Sequence, residues 1–98
     1  MFRKKLLKKI DPKLCRVCGM ELSFMPWGFD GHKPSYQICP CCGVEFGNDD
    51  ATPTAVRRAR EKWMKNGYVW FDEAKKPYGW VPDHQLTRLK DTTWDPWA

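Results

Sequence analysis

Residues 38–50 read ICPCCGVEFGNDD, and the adjacency of Cys41 and Cys42 decides the reading, because a metal-binding turn takes cysteines separated by two residues. An earlier stretch supplies the template. Cys15-Arg16-Val17-Cys18-Gly19 has the form CxxCG, and Cys39-Pro40-Cys41-Cys42-Gly43 matches it when Cys42 is aligned with Cys18. Such a turn chelates one ion because it carries both sulfurs to the same side, and its backbone amides can donate to the thiolates. The glycine that follows allows the positive φ with which the chain leaves the turn. Pro40, with its fixed φ, suits the second position of a tight turn, so Cys41 falls third, its side chain directed away from the metal. The expected ligands are therefore Cys15, Cys18, Cys39 and Cys42. Cys41 is the spare thiol, read as a small apolar residue, with a redox-sensitive or ligand-swapping role as the sharper alternative.

The two cysteine pairs lie 20 residues apart, at the top of the range for a four-cysteine zinc site. Four thiolates close the tetrahedron and leave no position for an activated water, so the expectation is structural Zn2+ and no enzyme. His32 and His84 stand at no ligand spacing to any cysteine. Glu45, Asp49 and Asp50 are too few oxygen donors for a hard cation. The Asp pair is expected instead to favour the N-terminus of the helix that follows.

Ninety-eight residues make one domain, 1–98, and one small enough to benefit from a metal staple. The formal charge of +5 falls to about +3 once four thiolates surround a divalent ion, so the basic balance alone says little. Five cysteines, an odd number, fit metal binding in a reducing compartment better than a disulfide framework. No apolar run is long enough for a signal peptide or a membrane span, so a cytoplasmic protein is expected.

Three sections are read along the chain. Residues 1–12 form a basic segment in which Phe2, Leu6 and Ile10 recur at helical spacing over 2–10, ended by Asp11-Pro12. Residues 13–47 are the zinc ribbon, with short antiparallel strands at LSF (22–24) and SYQI (35–38) around the excursion PWGFDGHKP. Residues 52–98 begin with a helix over 53–66: Thr52 caps it, Pro53 opens it and Gly67 stops it. Val56, Ala59 and Trp63 are its buried stripe, while Arg57, Arg58, Arg60 and Lys62 face water. An aromatic strand or extended segment at Tyr68–Phe71, a loop, a last turn or helix at Asp83–Leu89 and the tail TTWDPWA complete an aromatic C-terminal half. The fold class expected is α+β.

CRVCG, PWG, KPSYQICPCCGVEFGNDD, EKWMKNGYVWF and PYGW followed by QL resemble the small bacterial cysteine-rich proteins of the CPCC type, over roughly residues 13–90. The resemblance implies a zinc-ribbon knuckle pair at Cys15/Cys18 and Cys39/Cys42, no established reaction, and in some relatives an immunity role beside bacterial toxins. Asn48 departs from that pattern, which would place an aromatic residue before the Asp pair. The function expected is a macromolecule-binding module, protein-binding first, because Trp70, Phe71, Tyr78, Trp80, Trp94 and Trp97 are more aromatic surface than so small a chain easily hides. The alternative is nucleic-acid binding through Lys4, Lys5, Lys8, Lys9, Arg57, Arg58 and Arg60. A second alternative is an iron electron carrier, since the paired CxxCG turns are similar to those of rubredoxin, although half of this chain follows them.

Overall fold

The structure, a computed structural model, describes residues 6–97. Its regular elements are few: helix α1 at Pro53–Lys65, helix α2 at Pro82–Leu86, and 3-10 turns at Glu73–Lys75 and Thr87–Leu89. Among the described residues there is no β-strand and no sheet, so the α+β expectation is corrected to a largely irregular chain folded around two cysteine knuckles and a few helical segments.

The reason lies in how each knuckle closes. In the first, Cys15 N–H donates to Met20 O, Gly19 N–H to Cys15 O and Leu22 N–H to Lys13 O. In the second, the same three bonds run from Cys39 to Val44, Gly43 to Cys39 and Phe46 to Gln37. Each loop thus holds a single antiparallel bridge, Leu14 opposite Glu21 and Ile38 opposite Glu45. Neither pairing extends into a ladder. Tyr36, in the expected strand at 35–38, turns to φ 59°, its ring against Gly47, and this left-handed residue ends the extended run. After Leu22, the expected strand at 22–24 runs out into the turns around Pro26-Trp27-Gly28, where Ser35 N–H donates to Pro26 O and Lys33 N–H to Trp27 O. The segment expected as a strand or extended run at Tyr68–Phe71 forms no strand: Tyr68 turns to φ 59°, and Phe71 and Asp72 donate their N–H groups to Cys41 O and Pro40 O.

Helix α1 starts where Thr52 Oγ1 accepts from Ala55 N–H, with Pro53 at its first position, and ends at Asn66 with Gly67 at φ 84°. Its buried face is Val56, Arg60 and Trp63. That corrects the expectation that Arg60 faces water. The expected helix over 2–10 lies partly outside the described residues; residues 6–10 are not helical, and Lys8 N–H donates to Asp91 O. So short a segment recovers too few hydrogen bonds to offset helix nucleation.

The core joins the knuckle residues Val17, Leu22, Val44 and Phe46 to Val56, Trp63, Trp70 and Leu86. Its aromatic centre is a chain of ring contacts: Trp63 lies 5.1 Å from Tyr68, edge to face, and 6.2 Å from Trp80, tilted, and Trp80 lies 5.3 Å from Trp70, again edge to face. The C-terminal aromatics therefore divide. Trp70 belongs to the core and Trp80 and Trp94 pack half-buried against it, whereas Phe71, Tyr78 and Trp97 are exposed.

Candidate metal centre

The matched knuckles face each other and bring four sulfurs together. Cys15, Cys18, Cys39 and Cys42 place their Sγ atoms within 4.8 Å of one another. The contacts between knuckles are the short ones, Cys15 to Cys42 and Cys18 to Cys39, each 3.7 Å. A tetrahedral ion with metal–sulfur bonds of about 2.3 Å requires sulfurs about 3.8 Å apart, so the cluster is shaped to bind a metal ion. Cys15, Cys18 and Cys39 are fully buried and Cys42 is half-buried.

Both glycines of the knuckles sit at positive φ, 77° for Gly19 and 81° for Gly43. Gly19 carries a second constraint: a β-carbon there would collide with the Gln85 carbonyl oxygen, so α2 can lie against the first knuckle only because that residue has no side chain.

Electrostatics point the same way as geometry. Burial pushes the Cys15 and Cys18 thiols well above their ordinary pKa, and the Cys42 thiol also moves up for that reason. Cys39 moves down, because the other three thiols surround and solvate its thiolate. Four thiolates together are therefore untenable in this pocket unless a cation lies among them; a divalent ion reverses the balance and deprotonates all four.

Cys41 lies outside the cluster. It is fully buried, and its Sγ accepts from Gln85 Nε2 at 3.3 Å. The same amide nitrogen donates to Cys18 O at 3.0 Å, while Gln85 Oε1 accepts from Trp80 Nε1 at 3.0 Å. Gln85 thus links the two knuckles to the aromatic core. His32 and His84 are exposed and stand apart from the sulfurs.

Arg60 was the residue the sequence hid best. Its Nε donates to Val17 O at 2.8 Å, and its Nη2 donates to Arg16 O at 2.8 Å and Trp94 O at 2.7 Å. Burial lowers its pKa, and attraction to Cys15, Cys18, Asp95 and Cys42 opposes that shift. The guanidinium is therefore a built-in counter-charge beside the thiolates, held by carbonyls of the first CxxC turn. A signal was available: Arg60 falls four residues after Val56 and three before Trp63, within the apolar stripe itself.

A second buried charge site fixes the excursion. Arg16 is stacked between Trp27, 4.0 Å from the ring centroid, and Trp94, 4.5 Å away, and its Nη2 donates to Gly31 O. Trp27 in turn donates its indole N–H to Asp50 Oδ2, and Gly47 N–H donates to Asp50 Oδ1. Asp50 is thus a buried tie between excursion and second knuckle; burial raises its pKa, and those two donors together with Arg16 work against the rise. The expectation that the Asp pair serves the helix N-terminus is not met, since Asp49 accepts from Glu45 N–H and the cap is Thr52. Glu45 accepts from the Asn48 side-chain amide.

Of the expected basic footprint, Lys4 and Lys5 lie outside the described residues, Lys8, Lys9, Arg57 and Arg58 are exposed, and Arg60 is removed by burial. No helix among the described residues is long and apolar enough to cross a membrane.

The fold and site define a small protein organised by a pair of CxxCG knuckles around one four-cysteine metal centre. Comparison of the chain with family models, with curated proteins and with solved structures finds no match.

Proposed function

We propose that this protein is a protein-binding module held in shape by a structural zinc ion. The observation that carries the proposal is the closed set of four cysteine sulfurs, three of them fully buried, which leaves a metal no open position for substrate. Zinc suits four thiolates because it has no geometric preference to oppose the tetrahedron; iron is the alternative, and the protein would then be red. Five cysteines without a disulfide fit a reducing compartment such as the cytoplasm.

Protein binding is favoured by what the core leaves outside. Val69, Phe71, Tyr78 and Trp97 are each more than half exposed, as are Phe29 and Tyr36, while Phe46, Trp63 and Trp70 are buried. The immunity role implied by the family resemblance would be one instance of such binding. Nucleic-acid binding is the second reading, carried by the exposed Lys8, Lys9, Arg57 and Arg58. Native mass spectrometry of untagged protein from its host tests these together: the expected species carries one zinc and co-purifies with a second polypeptide. Iron in place of zinc, or a nucleic acid in place of the polypeptide, would overturn the corresponding half.

A further inference from the structure

A groove of about 590 Å³ runs between α1, the second knuckle and the segment at 69–71. Arg58 and Lys62 line it from α1; Val44, Val69 and Phe71 line it from the other elements, and Cys42 reaches it from the metal centre. Among the described residues, the side chains of Arg58 and Lys62 meet no carboxylate or hydrogen-bond partner, although the Lys62 carbonyl accepts from Asn66 N–H within the helix end. Asp49, the acid in the lining, already accepts from Glu45 N–H at 2.8 Å. Phe71 and Val69 are 65% and 60% exposed, so the wall opposite the cations is apolar and open.

We propose that this groove is the docking site for an acidic peptide segment of a partner protein, with its carboxylates on Arg58 and Lys62 and a large apolar side chain on Val69 and Phe71. The inference rests on the protein-binding reading and adds to it a place and a partner chemistry. Charge complementarity selects the occupant: two unpaired cations along one wall match a short acidic segment, and the apolar wall requires a side chain that a bare polyanion lacks. A nucleic-acid strand is held through on the order of 6–10 phosphate contacts in strong complexes, far more than two cations supply. The thiolate centre behind Cys42 would also repel a dense phosphate chain, whereas an apolar anchor can lie against it. The peptide meets the groove with its acids toward α1 and its anchor toward the sulfur side.

The test uses zinc-loaded full chain and a labelled octapeptide of six acidic residues around a central Leu-Phe pair. Anisotropy gives its affinity, and amide chemical shifts map its contacts. Shifts confined to 42–44, 58–62 and 69–71 are expected. The double variant Arg58→Glu with Lys62→Glu should weaken binding about tenfold or more, and Phe71→Ser should weaken it by about as much. Zinc content and circular dichroism identify variants that remain folded. Unchanged affinity in both folded variants, shifts elsewhere on the surface, or no binding of the peptide would overturn the proposal. The host's co-purifying chain separates the two levels. If it is retained by both variants, the groove is wrong and protein binding stands; if wild-type protein brings down none, the protein-binding reading itself fails.

Discussion

In the first knuckle, four consecutive carbonyls receive side-chain donors: Arg16 and Val17 from Arg60, Cys18 from Gln85 and Gly19 from Arg88. In the second, the carbonyls of Pro40 and Cys41, which correspond to those of Arg16 and Val17, receive the backbone N–H groups of Asp72 and Phe71. The turns themselves share one hydrogen-bond pattern, so the difference lies in what braces them. Side-chain braces come from helices distant in sequence and can be removed by one substitution. Backbone braces survive almost any substitution. The first knuckle should therefore be the mutationally fragile half of a symmetric site.

The largest effect should ignore this asymmetry. Loss of any one ligand, as in Cys18→Ser or Cys42→Ser, removes metal binding shared by both knuckles, and structural zinc contributes roughly 10–16 kcal/mol of apparent free energy in small domains. Both variants, and wild-type protein treated with a chelator, are expected to lose their cooperative thermal transition by circular dichroism. A ligand variant that stayed cooperatively folded without metal would mean the aromatic core alone organises the chain, and the comparison of knuckles would lose its basis.

Arg60→Met comes next. It leaves the Arg16, Val17 and Trp94 carbonyls without their donor and removes the positive charge beside the thiolates. The expected destabilisation of metal-loaded protein is about 3–5 kcal/mol in urea unfolding. Arg60→Lys should recover only part of it, because an ammonium cannot reproduce the planar fork that reaches three acceptors. A cost below about 1 kcal/mol for Arg60→Met would show that the first knuckle does not depend on its side-chain braces.

What the sequence revealed and what it hid divide along the same line. The CxxCG spacing, with Pro40 and the glycines, made the four-sulfur cluster legible because each of those residues constrains the chain locally. Thr52-Pro53 and Gly67 marked the ends of α1 for the same reason. The strands misled because the short candidates at 22–24 and 35–38 state only a local preference, and a ladder also needs a partner in register; Tyr36 at positive φ and the turns around Trp27 remove it. Arg60 misled because a charged residue is assigned to solvent by default, although its acceptors are carbonyls more than thirty residues away. Asp50 and Arg16 are of this kind too: their partners Trp27, Gly31 and Trp94 lie far from them in sequence and come together only in the folded chain.

Gln85 tests a brace that touches both knuckles. Gln85→Leu removes the donor to Cys18 O and Cys41 Sγ and strands the Trp80 indole N–H, with an expected cost of about 1–3 kcal/mol. Cys41→Ser should cost less, about 1–2 kcal/mol, and leave one metal ion per chain, because a hydroxyl can still accept from Gln85 while its burial is less favourable than that of a thiol. Metal release by Cys41→Ser would reverse the roles of the adjacent cysteines.

The smallest effect should come from Phe71→Ala. Phe71 sits on the second knuckle, yet it braces that knuckle through its backbone N–H, and its ring is 65% exposed against Gly43. Removing the ring keeps the bond to Cys41 O and forfeits only part of the apolar contact, so unfolding of the metal-loaded protein should shift by less than about 1 kcal/mol. A larger loss would mean that the ring, rather than the amide, holds the knuckle. The apolar wall of the groove would then be a structural brace, and the asymmetry between the knuckles would vanish.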